Sequence, residues 1–304
     1  MQSSAIALLN PHWHAVPMDG LSRTVTPEVT YEPVPAWFQT LADDDFAKDE
    51  LGEHARMDGA YCLCTRYEAD APRNPQVPTP AGAAPTPHDE ARRSLQTASL
   101  MLWLSKRTSF GYDRIAIAQQ EHEGWVWREL TSHDLWVALP SYQGADIEPS
   151  DFAAAYQFAT VFAKAKPQGT VRTACHALSM SLSQSDWPLR YLSLWLVLES
   201  LFGPEDARET TFRLCQRIAL FLLPRGQEAV ALFRKLNESY RWRSKIVHGM
   251  RLQKLEADKS LELLESLESW VHASLRTILR NETALANFDS GSREEYLDQL
   301  AFAE

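Results

Sequence analysis

Hydrophobic and polar residues follow two different patterns along the chain, and the change falls near Pro149. Before it, short stretches alternate with a period of two, which is typical of strands, and turn residues separate them. After it, apolar residues recur every three or four positions, as in amphipathic helices. The pattern predicts an α+β protein: an N-terminal mixed module over 1–148, a helical domain over 149–284 and an acidic C-terminal tail over 285–304.

The first module is predicted to contain both strands and helices. Helices are predicted over 36–51 and 88–106, and a hairpin is predicted around Glu123 and Gly124. Residues 71–87 hold six prolines and almost no large apolar side chain, so they are expected to form an exposed loop. Strands are predicted over 24–31, 61–67, 115–119, 125–130 and 135–139.

The second half is predicted to be a bundle of helices. The third of its helices is apolar on nearly every face, which predicts a position in the centre of the bundle. A short docked helix is also predicted around 294–300. The six main helices are predicted over 150–166, 171–183, 189–202, 210–223, 227–248 and 257–285.

Composition and charge exclude several classes of protein. A formal net charge of −10 argues against a broad basic surface that coats nucleic acid, although it leaves room for a small basic site. The four cysteines fit neither a disulfide framework nor a zinc site, so we expect reduced thiols. No apolar run approaches the roughly 18 residues of a membrane span, and no secretory signal is evident. We therefore expect a cytoplasmic protein with no membrane partner, no cofactor and no metal.

Two histidines near the N-terminus give a weaker alternative. His12 and His14 could lie on one side of a strand as metal ligands. No Cys, Asp or Glu nearby completes a ligand set, so chance explains this spacing better.

The clearest chemical signal is the basic stretch 240–251. It contains one histidine, His248, among several cations. Histidine is the residue type that commonly acts as general acid or base, and an arginine offers a forked positive charge that suits a phosphate. Gly249 predicts that a helix ends directly after His248. At about 100° per residue, Arg241 lies nearly in line with His248, whereas Arg243 lies some 140° away. Arg243 and His248 would meet only if the last helical turn unwinds or the arginine reaches around the helix.

Three segments of the second half resemble a known family. The run from Tyr240 to Gly249 contains an arginine, four residues and a histidine, and it resembles the motif of the Apea-like HEPN domains. Residues 189–203, an apolar helix with an embedded glutamate, and residues 212–219 are similar to two further helices of that group. The resemblance covers roughly residues 150–283 and does not extend to the first module.

The resemblance implies a fold and an activity. The expected fold is an antiparallel helical bundle of the HEPN type, and the expected activity is metal-independent cleavage of RNA by a homodimer. His248 would act as general acid or base and Arg243 would stabilise charge on the scissile phosphate. The implied setting is bacterial anti-phage defence or a toxin–antitoxin stress response, with an antitoxin or a phage-derived trigger as a further partner. The remaining phosphate contacts are expected from Arg241, Ser244, Lys245 and Arg251.

Two interpretations remain beside catalysis. The cations could simply stabilise the carbonyl end of a helix, and the domain could be a non-catalytic dimerisation module or a module that binds nucleic acid or a protein partner. Glu199 lies in a helix predicted to be buried, so it needs a cation as a partner. The candidates for this structural ion pair are Arg213, Arg217 and Arg243.

Overall fold

The fold divides into two compact units. In the computed structural model, unit 1 comprises residues 1–136 and 142–159, and unit 2 comprises residues 137–141 and 160–304. The boundary predicted between 148 and 149 lies slightly earlier in the chain than this division. The structure describes residues 2–9, 21–42, 61–69, 85–108, 112–132, 136, 139–142, 146–206, 210–248 and 257–302.

Unit 1 is built on a sheet of six strands in which all described neighbours are antiparallel. The order of the strands is β2-β3-β4-β1-β5-β6, so the first strand lies inside the sheet. The strands are β1 (Gln2–Leu9), β2 (Arg23–Thr26), β3 (Val29–Pro33), β4 (Tyr61–Glu68), β5 (Tyr112–Glu121) and β6 (Gly124–Ser132).

The core of unit 1 forms around β1. Ile6 and Leu8 are fully buried, and they pack with Phe38 and with the two cysteines of β4, Cys62 and Cys64. Side chains alternate across a strand, so this face of β1 supplies every second residue to the cluster. The cluster includes α1 (Ala36–Ala42), which supplies Phe38.

The long helix α2 (Pro87–Ser105) packs against β1, β2, β3 and β4. Its first turn is held by a capping box, in which the Thr86 hydroxyl accepts from the Asp89 N–H and the Asp89 carboxylate accepts from the Thr86 N–H. Pro87 stands at the first helical position, where its missing N–H costs nothing.

Unit 2 is helical, and α5 lies at its centre, because it packs against α4, α6, α7 and α8. Trp195 and Leu198 of α5 are fully buried, which confirms the predicted central helix. Its Arg190 forms an ion pair with Glu268 of α8 in which both side chains are almost completely buried. From α3, which crosses the division between the units, the helices are α3 (Pro149–Phe162), α4 (Thr170–Leu182), α5 (Trp187–Phe202), α6 (Thr210–Leu222), α7 (Gln227–Val247), α8 (Ala257–Ile278), α9 (Glu282–Asp289) and α10 (Arg293–Gln299).

The structure corrects three of the predicted elements. The run 24–31 is two strands rather than one, because residues 27 and 28 form a turn between β2 and β3. The described residues of the predicted strand 135–139, Trp136 and Leu139, are not in a strand, and a short 3-10 helix begins at Pro140. The helix predicted to reach residue 285 ends at Ile278, because Asn281 caps a new helix by accepting from the Ala284 N–H.

Other predictions are confirmed or lie outside the described residues. The hairpin at Glu123 is confirmed, with Gly124 in the left-handed region at φ 129°. Helix α10 confirms the docked helix in the predicted acidic tail. Most of the Pro-rich loop and the second half of the predicted helix 36–51 lie outside the described residues. Among the described helices, none combines the length and apolar character that crossing a membrane requires.

Candidate functional site

The candidate site lies at the C-terminal end of α7. The helix is regular to Val247, and His248 forms its C-cap, where its N–H donates to the carbonyl oxygen of Ser244 at 3.1 Å. The last turn is therefore wound rather than opened. Gly249 and Arg251 lie outside the described residues, so the glycine cap and the Arg251 contact stay predictions.

Contacts with α5 fix the rotation of α7 about its axis. The Tyr191 hydroxyl donates to the backbone carbonyl of Ser239 at 2.8 Å, and both residues are buried. The ring of Trp195 meets Tyr240 edge-on, with 4.9 Å between the centroids. The face of α7 that carries Ser239 and Tyr240 is thus held against the bundle. Because this contact fixes the rotation of the helix, it also determines the directions in which Arg241 and Arg243 point.

Arg243 points toward α5 and is part of the bundle. Its Nη2 donates to Oε2 of Glu199 at 3.1 Å, and the side chains are 29% and 22% exposed. The guanidinium also lies over the Tyr240 ring, 5.5 Å from the centroid. The ion pair predicted for Glu199 is therefore made by Arg243.

The other two arginines considered for Glu199 have different partners. Arg217 is buried and donates to the carboxylates of Glu294 and Asp298 of α10, at 2.8 and 2.7 Å. Arg213 pairs with Asp206 at 2.8 Å. The prediction that Arg213 or Arg217 pairs with Glu199 is therefore wrong. Helix α10 supplies the carboxylates that bind Arg217, and Asp206 binds Arg213.

Tyr240 and Asp298 have pKa values that differ from the ordinary ones of their residue types. Burial, together with the negative charge of Glu199, raises the pKa of Tyr240 to about 12, so the phenol stays protonated at neutral pH. Hydrogen bonds from Arg217 lower the pKa of Asp298, which keeps the α10 carboxylate ionised. Tyr240 is therefore not a base at neutral pH.

Arg241 and His248 project from the opposite side of α7, away from Arg243. Both are exposed. Lys245 lies between them along the helix, and its Nζ stands 3.9 Å from the centroid of the Trp242 ring. Among the described residues, none supplies a carboxylate partner for Arg241, Lys245 or His248. Ser244 is half-buried beside them.

The arrangement joins an exposed histidine to two cations on one helical face. An imidazole can transfer a proton at such a place, and the guanidinium and ammonium can stabilise an anion. Arg234 was not among the predicted site residues, although it is exposed on the same face as Arg241. Seven residues separate Arg234 from Arg241, and seven separate Arg241 from His248. This spacing places the three residues on one face of a helix, so it is the sequence signal that predicts Arg234 as part of the site.

His12 and His14 lie outside the described residues. No protein-family model, no curated protein and no solved structure matches the chain.

Proposed function

We propose that the chain is a metal-independent endoribonuclease of the HEPN type that acts as a homodimer in the cytoplasm. The observation that carries the proposal is the exposed His248 at the end of α7, aligned with two cations that have no carboxylate partner among the described residues. The resemblance of three helical segments supports the same activity. It also supports a setting in anti-phage defence or in a toxin–antitoxin system.

The proposed reaction is a transesterification. The 2′-oxygen of a ribose attacks the adjacent phosphorus, the bond from phosphorus to the 5′-oxygen breaks, and a 2′,3′-cyclic phosphate and a 5′-hydroxyl result. One proton leaves the 2′-hydroxyl and one is donated to the 5′-oxygen. In the dimer, one copy of His248 accepts the first proton as general base and the other copy donates the second as general acid.

Two arginines compete for the contact with the scissile phosphate. The resemblance assigns it to Arg243, whereas the regular last turn favours Arg241, which shares a face with His248. Arg243 already pairs with Glu199, so moving it to a phosphate would leave a half-buried carboxylate without its cation. We therefore infer that Arg241 contacts the phosphate and that Arg243 positions α7.

A second copy of the chain has an apolar surface on which to dock. On α5, Leu189 and Leu196 are 54% and 49% exposed although the helix is central, and Leu192 lies between them. This leucine face lies on the same helix as Glu199, which binds Arg243 of α7. Exposed leucines on the central helix of a bundle are typical of a surface that another chain covers.

The test is RNA cleavage by purified wild type and variants, with EDTA present throughout. We expect His248→Ala to abolish cleavage and His176→Ala, a change of another exposed histidine, to leave it intact. Removing one charge-stabilising donor costs about 10² to 10³ in rate, so Arg241→Gln should lose that much. Arg243→Gln should instead lower the free energy of unfolding, measured in urea, because it leaves Glu199 unpaired.

Two outcomes would contradict parts of the proposal. Equal cleavage by wild type and His248→Ala would remove the catalytic role, and products with a 3′-hydroxyl would remove the transesterification. If Arg243→Gln abolishes cleavage at unchanged stability while Arg241→Gln is active, Arg243 is the phosphate ligand.

The competing function is a non-catalytic module that dimerises or binds a partner. The ion pair of Arg243 with Glu199 favours it, because there the motif arginine links two helices of the bundle. Under this alternative, no variant of the motif changes RNA cleavage, while Arg243→Gln still lowers stability.

A further inference from the structure

A straight row of basic side chains runs along the exposed face of α7. The basic row consists of Arg234, Arg241, Lys245 and His248. At about 100° per residue, these four positions fall within about 60° of one another around the helix. With a rise of 1.5 Å per residue, the row is about 21 Å long, and Arg234 stands about 10 Å from Arg241.

The cations of the row differ in their pairing from several other arginines of unit 2. Arg190, Arg213, Arg217 and Arg243 each bind a carboxylate. Within the described residues, Arg234, Arg241 and Lys245 bind none. In a chain with a formal net charge of −10, aligned cations without acidic partners mark a local site for an anion.

The surroundings of the row allow an anion to reach it. Arg234, Arg241 and His248 are exposed, and Lys245 is held over the Trp242 ring. Glu238 is the one acidic residue of α7 near the row by helical position, and it makes no ion pair with either arginine within the described part of the chain. The row therefore offers several points of positive charge in one line.

We propose that the basic row binds a single strand of RNA, with the scissile phosphate at His248 and a phosphate further along the strand at Arg234. This inference rests on the proposed function, which places the reaction at His248, the C-terminal end of the row. A row of point charges about 21 Å long contacts the backbone of one strand and carries no sequence preference. Arg234 is thus a positioning residue for substrates longer than the reacting dinucleotide.

The chemistry favours a single strand over a duplex. Transesterification requires the 2′-oxygen, the phosphorus and the 5′-oxygen in line, and a regular A-form duplex does not present this geometry. A single strand can adopt it when its backbone is held on either side of the scissile phosphate. The row supplies such a hold on one side.

Binding can be measured without cleavage. The probe is a fluorescent uridine oligonucleotide, long enough to span the row, in which 2′-O-methyl groups block the attacking oxygen. Each phosphate contact on a single strand contributes about 0.7 to the slope of log K against log salt. Arg234→Gln should therefore weaken binding about fivefold at 0.1 M salt and reduce that slope by about 0.7.

Lys235 gives a matched control. It is the next residue, carries the same charge and is exposed, but it points about 100° away around the helix. Lys235→Gln should leave both the affinity and the salt slope nearly unchanged. If Arg234→Gln and Lys235→Gln lose equal affinity for the probe, the proposal is overturned, because binding would then depend only on the total charge of the protein.

Three further results separate this inference from the proposed reaction. If the probe binds with the expected dependence on Arg234 and unmodified RNA is not cleaved, binding by the basic row is supported and the proposed reaction is contradicted. If cleavage occurs and Arg234→Gln changes neither the binding of the probe nor the KM for long RNA, the row falls and the reaction stands. Tighter binding of a matched duplex, or of poly-glutamate, overturns the choice of a single RNA strand.

Discussion

At the scale of single residues, Arg190 and Glu268 form the most buried ion pair among the described residues of unit 2. Their side chains are 2% and 0% exposed, and the Arg190 Nε donates to Glu268 Oε1 at 2.8 Å. Removing one partner leaves a buried charge uncompensated, which typically costs about 3 to 5 kcal/mol. We expect Glu268→Leu to lower the free energy of unfolding in urea by about this amount. The double variant with Arg190→Met should recover most of the loss, and two additive single effects would contradict the coupling.

The same physics limited what could be predicted for Glu199. Its burial predicted a cationic partner, and α7 supplies one in Arg243. The sequence could not show which of the three arginines binds Glu199. Arg217, for example, binds carboxylates of α10 that lie some eighty residues later in the chain. A pairing between distant segments depends on how the helices pack, and helical periodicity does not encode that.

At the scale of elements, the leucine face of α5 carries the next prediction. Leu196 is 49% exposed on this face, and Val230 is 49% exposed on α7. A glutamate in a dimer interface would be buried without a cation, so we expect Leu196→Glu to convert the dimer to a monomer in sedimentation and to reduce RNA cleavage. Val230→Glu introduces the same charge at the same exposure and should leave the dimer intact in sedimentation, the measurement for which it is the control. If the two variants behave alike, the leucine face is not the interface.

The elements that could be predicted are those with a strong local pattern. Helices α4 to α7 agree with their predictions to within a few residues, because apolar positions three and four apart identify a helix against its packing partner. Strand β1 was not predicted, although it is a central strand of the sheet. Its sequence, QSSAIALL, is buried on both faces from Ser3 to Leu8, so it lacks the alternation of a half-exposed strand.

The candidate site shows the same division between local and long-range information. The alignment of Arg241 with His248 follows from helical phase, and the regular end of α7 agrees with it. The direction in which this face points is set by Tyr191 and Trp195 of α5, more than forty residues earlier. The sequence therefore predicted which residues share a face, and the packing of α7 determined that Arg243 turns inward.

At the scale of the whole molecule, the division into two units predicts two steps of unfolding. The four cysteines report on it, because all are buried thiols, with Cys62 and Cys64 in unit 1 and Cys175 and Cys215 in unit 2. Burial raises the pKa of Cys64, Cys175 and Cys215 to about 12 and that of Cys62 well above its usual range. Since the thiolate is the reactive form, all four should resist alkylation at neutral pH in the folded protein.

In increasing urea, each pair should become reactive when its own unit unfolds, because compact units open as cooperative segments. We expect pulsed alkylation with mass spectrometry to give one midpoint shared by Cys62 and Cys64 and another shared by Cys175 and Cys215. The control is a fully unfolded sample, in which all four thiols should react at similar rates. Different midpoints for the two cysteines of one unit would show that this unit does not unfold cooperatively. A single midpoint shared by all four would contradict the two-step prediction and show that the two units unfold together.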